Sequence, residues 1–161
     1  MRRLALVFLV FLGCLGQAGF SFGETELSVT TDKKAYASGD VVVIVLKNNS
    51  AGDIFSHLGS QTPVFAIDGV ERKGAGERWD RLFAWCQYPH CVYDMDGPAE
   101  LKAGESVSWG WDPWIYIDGT AQKVRARTGT YRLLILYRAG ADHPAEPGQW
   151  LRAVSNEFIL E

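Results

Sequence analysis

Residues Gly129–Arg138 read Gly-Thr-Tyr-Arg-Leu-Leu-Ile-Leu-Tyr-Arg, and the fold turns on this stretch. Tyr131, Leu133, Ile135 and Tyr137 fall on one phase of a two-residue period, while Leu134 and Leu136 fall on the other between Arg132 and Arg138. A period of two sends successive side chains to opposite faces of a strand. Tyr131 stands at the head of that strand, after Gly129-Thr130 and two places before a core residue. This is the layout of a tyrosine corner, in which the phenolic OH caps a nearby backbone group. The plainer alternative is an ordinary cross-strand tyrosine.

Working outward, the same period recurs. Leu27, Val29 and Thr31 alternate with Glu26, Ser28 and Thr30, and Val107, Trp109 and Trp111 alternate with Ser106, Ser108 and Gly110. Val154, Phe158 and Leu160 alternate with Ser155, Glu157 and Glu161. Val41 to Leu46 is apolar on both phases, which predicts a central strand with both faces covered. No window keeps a helical stripe. Turn signals separate the runs at Ser38-Gly39-Asp40, Asn48-Asn49-Ser50, Ala103-Gly104-Glu105 and Thr128-Gly129. Asp68-Gly69, between Val64–Ile67 and Val70–Lys73, predicts a two-residue hairpin turn. The pattern predicts an all-β chain, an antiparallel sandwich of seven to eight strands, and the corner tyrosine narrows it to an immunoglobulin-like one.

The N-terminus reads as an export signal. Arg2 and Arg3 precede nine apolar residues, Leu4 to Leu12, and then a small-residue stretch. The run is too short to span a bilayer, which takes about 20 apolar residues. Two cuts fit. One falls after Gly23, giving a leader over 1-23 and a single sandwich domain over 24-161, periplasmic or secreted. The other uses Phe11-Leu12-Gly13-Cys14 as a lipobox, which makes Cys14 the lipidated residue of a membrane-anchored lipoprotein. Cutting after Gly23 leaves 138 residues and takes the net charge from −3 to −5, because the leader holds two arginines and no acid. An acidic surface argues against nucleic acid or anionic lipid as a partner. No later apolar run is long enough for a membrane span.

The order of several motifs resembles a family. Tyr36-Ala-Ser-Gly39-Asp40 with Val41–Leu46 and Asn48-Asn49-Ser50 comes first, then Phe65-Ala-Ile-Asp68-Gly69. Leu101-Lys-Ala-Gly104-Glu105-Ser106, Trp111-Asp112 and Gly129-Thr130-Tyr131 follow. In this order they resemble bacterial immunoglobulin-like domains of the intracellular proteinase inhibitor (BsuPI) type, over roughly residues 27 to 138. The resemblance implies the sandwich fold and, as an activity, protease inhibition. The chain departs from the family in its export leader and in a cysteine-bearing insert at 74 to 98. A sandwich hosts many functions, so the activity does not travel with the fold.

Cys86-Gln-Tyr-Pro-His90-Cys91 is the most distinctive local stretch. In an oxidising compartment its two cysteines are expected to bond to each other, stapling a small loop at about 2 kcal/mol. The rival is a metal site, since Cys86, His90, Cys91 and Met95 are soft ligand types that suit copper. A second histidine is wanted there, and His57 and His143 are both distant in sequence, so no metal is expected. Asp94 and Asp96 offer too few oxygens for calcium. Trp109 and Trp111 read as core. Trp114 and Tyr116, in Asp112-Pro-Trp-Ile-Tyr-Ile-Asp-Gly119, read as a loop between strands, where they either bind or fold back as a lid.

No nucleophile elbow, metalloprotease motif or phosphate loop is present, and the histidines lack a Ser or Cys partner in any recognisable pattern. The expectation is a non-enzymatic, cofactor-free extracytoplasmic module that binds another protein through Trp114, Tyr116, Tyr88 and His90. A protease inhibitor of the BsuPI type and a carbohydrate-binding module are the alternatives.

Overall fold

The computed structural model describes residues 26–56, 67–83, 100–117, 120, 122–139 and 150–161, which form several antiparallel β-sheets. The strands up to the middle of the chain are β1 (Leu27–Thr31), β2 (Ala35–Tyr36), β3 (Val42–Asn48), β4 (Ile54–Ser56), β5 (Ile67–Lys73) and β6 (Trp79–Leu82). The remainder are β7 (Glu100–Leu101), β8 (Ser106–Trp111), β9 (Trp114–Tyr116), β10 (Lys123–Arg125), β11 (Gly129–Ala139), β12 (Leu151–Val154) and β13 (Phe158–Leu160). Among the described residues the only helical element is a 3-10 turn at Ala75–Glu77, and no helix is long and apolar enough to cross a membrane.

One sheet runs β1-β3-β8. Val42, Ile44 and Leu46 are buried and lie opposite Trp111, Trp109 and Val107 in register, so the alternating phases of two strands meet on one face. Val43 and Val45 on the other face are half-buried. Asn48 ends β3 as a buried bracket. Its Nδ2 donates to the carbonyls of Gly52 and Leu101, and its Oδ1 accepts from the Ser50 N–H, which sets the turn signalled by Asn48-Asn49-Ser50.

β11 organises the larger sheet. β13 and then β12 pair along one of its edges, and β5 and then β4 along the other, while β2 adds a parallel pairing on β13. The buried faces of both sheets supply one core. Phe158 is its aromatic centre, edge-on to Tyr36 at 5.7 Å and to Trp111 at 6.5 Å, and stacked on Tyr131 at 6.1 Å. Such pairs each add about 0.5–1.5 kcal/mol beyond the area they bury.

Two bulges depart from the sequence pattern. Asp68-Gly69 makes no hairpin; β5 runs straight through it. Leu134 pairs with Gly69 and Ile135 with Ile67, leaving Asp68 as the extra residue. The Asp68 carboxylate holds Arg81 at 2.6 Å, and Arg81 in turn lies over Gly69, where a Cβ would stand 3.1 Å from its Nε and 3.4 Å from Leu134 Cδ1. The absent side chain lets Arg81 lie close to the sheet, so this glycine serves packing and not a turn. The chain reverses later, at Gly74–Arg78, through left-handed Gly76 (φ 71) and Glu77 (φ 62).

The second bulge divides the C-terminal run into β12 and β13. Strict alternation predicts Val154 on the face of Phe158, whereas Val154 is 43% exposed and Ala153 is buried. One inserted residue between the two strands reverses the phase. The described residues contain thirteen strands, several of only two to four residues, where seven or eight were expected.

Candidate functional site

Within the segment expected to be a loop, Asp112 to Gly119, Trp114–Tyr116 instead forms a β-strand, β9. β9 pairs antiparallel with β10, setting Trp114 opposite Arg125, Ile115 opposite Val124 and Tyr116 opposite Lys123. Period two therefore divides the hairpin into two faces. Trp114 and Tyr116 share one, and Ile115, which packs against the core, takes the other. The sequence hides this strand because Pro113 and Asp112 look like loop residues, and three residues are too few to show a period.

Trp114 is half-buried and stands outside the core cluster. Its Nε1 donates to Asp112 Oδ2 at 2.9 Å, and Asp112 also binds the Arg125 guanidinium. Lys123 Nζ lies 5.1 Å and Arg125 Cζ 4.8 Å from the centre of the indole ring. Each cation–π contact contributes on the order of 0.5–1 kcal/mol at so open a position. Together they fix the ring's orientation. Tyr116 anchors the hairpin to the larger sheet, because its N–H donates to the Phe83 carbonyl at 2.8 Å.

On its core-facing side the hairpin borders a cleft of 430 Å³ against β5 and β6. Leu82, Ile115, Ile117 and Val124 give it apolar walls. Among the described residues its charged lining is Arg72, Arg125 and Arg127 against the one acid Asp80. The Arg125 guanidinium itself is turned to the other face, over the Trp114 ring and onto Asp112. Arg72 shares the phase of Val70, opposite Tyr131 on β11, so it points to the side of the sheet that elsewhere carries the core. Its stem passes over Gly129, whose added Cβ would stand 3.4 Å from Arg72 Cδ.

The tyrosine corner joins this cleft to the core. Tyr131 Oη donates to the Arg127 carbonyl, the bond expected of a corner tyrosine, and so fixes the backbone that carries Arg127. Burial pushes the Tyr131 phenol above its ordinary value. The hydrogen bond from Arg72 and the charges of Arg72 and Arg127 oppose that rise. Among the described residues neither Arg72 nor Arg127 forms an ion pair. The signal that marks the cleft in sequence is Lys123-Val-Arg125-Ala-Arg127, an alternating basic run in an acidic chain.

The remaining expected site residues, Cys86, Tyr88, His90, Cys91 and the alternative lipidation residue Cys14, lie outside the described residues. Among the described residues no group of His, Cys, Asp or Glu is arranged to hold a metal ion. No family model matches the chain, and neither a curated protein nor a solved structure does.

Proposed function

We propose that this protein is an exported, non-enzymatic immunoglobulin-like module that binds another protein through the β9–β10 hairpin. The observation that carries the reading is the placement of Trp114, outside the core yet held in one orientation by Asp112, Lys123 and Arg125. An aromatic side chain already ordered before contact loses little entropy on binding, and rigid aromatics dominate interface energetics. The immunoglobulin-like assignment has two supports: the Tyr131 corner bond, and two sheets that share one core. Export follows from the leader, with cleavage after Gly23 or lipidation at Cys14, and the Cys86–Cys91 bond from the oxidising compartment.

The carbohydrate alternative is weakened by the two cations over the Trp114 ring, since sugar stacking needs a bare aromatic face. The inhibitor alternative has the BsuPI resemblance behind it and no feature of the hairpin. Cross-linking the immobilised protein to an envelope extract of the source cell, followed by mass spectrometry, tests the proposal. Trp114→Ala should reduce capture of the partner about tenfold, a loss of about 1.4 kcal/mol. An unchanged set of captured proteins overturns the hairpin as the contact.

A further inference from the structure

We propose that the cleft between the β5–β6 wing and the β9–β10 hairpin receives a segment of the partner protein in which a carboxylate stands beside a large apolar side chain. This rests on reading the hairpin as a contact surface, but concerns the side opposite Trp114.

Charge sets the first half of the ligand. The chain as a whole is acidic at −3, yet among the described residues of the cleft Arg72 and Arg127 meet the one aspartate, Asp80. Arg125 is engaged by Asp112, whereas Arg72 and Arg127 face no carboxylate partner at ion-pair distance among the described residues. The forked guanidinium donors match a carboxylate. The Arg72 stem is packed on Gly129, and the corner bond fixes the backbone that carries Arg127.

The walls set the second half. Ile117 is 43% and Val124 42% exposed, beside half-buried Leu82 and Ile115. Inorganic phosphate would satisfy the guanidiniums and leave these apolar groups wet. A segment carrying both an acid and an apolar side chain covers both, and 430 Å³ lies within the range of about 300–1,000 Å³ usual for ligand sites. Nucleic acid offers anions without the aliphatic partner, and the chain's net charge opposes it.

The test is fluorescence anisotropy with a labelled hexapeptide of alternating leucine and aspartate, its asparagine counterpart, and inorganic phosphate as competitor. The aspartate peptide should bind about tenfold more tightly than the asparagine peptide, and millimolar phosphate should displace little of it. Arg127→Gln and Val124→Asp, both at exposed positions, should each weaken it about tenfold with the thermal midpoint held within a few degrees. Absence of binding, equal affinity for the two peptides, full displacement by phosphate, or indifference to both substitutions overturns the proposal. Trp114→Ala separates it from the broader reading. If that variant loses partner capture while both cleft variants keep it, the hairpin stands as the contact and the cleft does not.

Discussion

The backbone N–H of Leu133 is bonded to the side chain of Ser155, at 2.9 Å, and not to a carbonyl of the neighbouring strand. The Leu133 carbonyl still accepts from the Ser155 N–H, also at 2.9 Å, so one hydroxyl repairs the half of the ladder that the bulge opens. Both residues are buried. Ser155→Ala should therefore cost about 1–3 kcal/mol, because it leaves a buried donor without a partner. Chemical denaturation measures this; an unchanged midpoint would mean that the bulge relaxes to restore a backbone bond.

Tyr131 and Leu133 anchor the same strand by different means. Tyr131→Phe removes the donor to Arg127 and should cost roughly 1 kcal/mol or somewhat more. Leu133→Ala opens a cavity at a position with no exposure and should cost about 2–5 kcal/mol. The pH dependence follows from burial, which raises the phenols of Tyr36, Tyr131 and Tyr137 above their ordinary 10.0. Below pH 10.0 both folded and unfolded chains keep these protons, and the stabilisation is complete. Above it the unfolded chain loses them first and binds fewer protons than the native state, so stability falls as pH climbs through the folded values. Denaturation midpoints measured across that range should decline, and the decline should be shallower in Tyr131→Phe. An equal slope in the two proteins would place that phenol in contact with water.

Strand period and core phase were legible in sequence wherever a run was long. β8 and β11 turn toward the core the phases that their alternation predicts, and the corner tyrosine makes its bond. The run Val41–Leu46, expected to be covered on both faces, has Val41 exposed and Val43 and Val45 half-buried. What escaped were events of one residue. Asp68 and the residue inserted between Ser155 and Phe158 each shift a register without altering composition, and Asp68-Gly69 carries the same letters whether it turns or bulges. The cleft escaped for another reason. Arg72, Arg125 and Arg127 come from two strands and a connection, and only the pairing of β5 with β11 and of β9 with β10 brings them to one place.

The cysteine pair gives a prediction that depends on compartment alone. A protein passed through an oxidising envelope should carry a Cys86–Cys91 bond, because two thiols five positions apart close a small loop at little entropic cost. Its intact mass should lie two hydrogens below that of the reduced protein, with no thiol open to alkylation before reduction. Two reactive thiols and a stoichiometric copper or zinc ion would instead favour the metal alternative.

Trp111 and Trp114 lie three positions apart and should respond in opposite ways. Trp111 is 6% exposed and meets Phe158 edge-on at 6.5 Å within the core. Trp111→Ala should accordingly cost about 3–5 kcal/mol, the usual loss for truncating a buried aromatic side chain. Trp114 touches Asp112, Lys123 and Arg125, all of them largely exposed, and surface contacts of that kind contribute at most about 1 kcal/mol each. Trp114→Ala should move the thermal midpoint by only a few degrees while abolishing most partner capture. Differential scanning calorimetry on the two variants decides between a binding residue and a lid. A fall in midpoint for Trp114→Ala as large as that for Trp111→Ala would make the indole part of the core, and the contact surface would then have to lie away from the outer face of the hairpin.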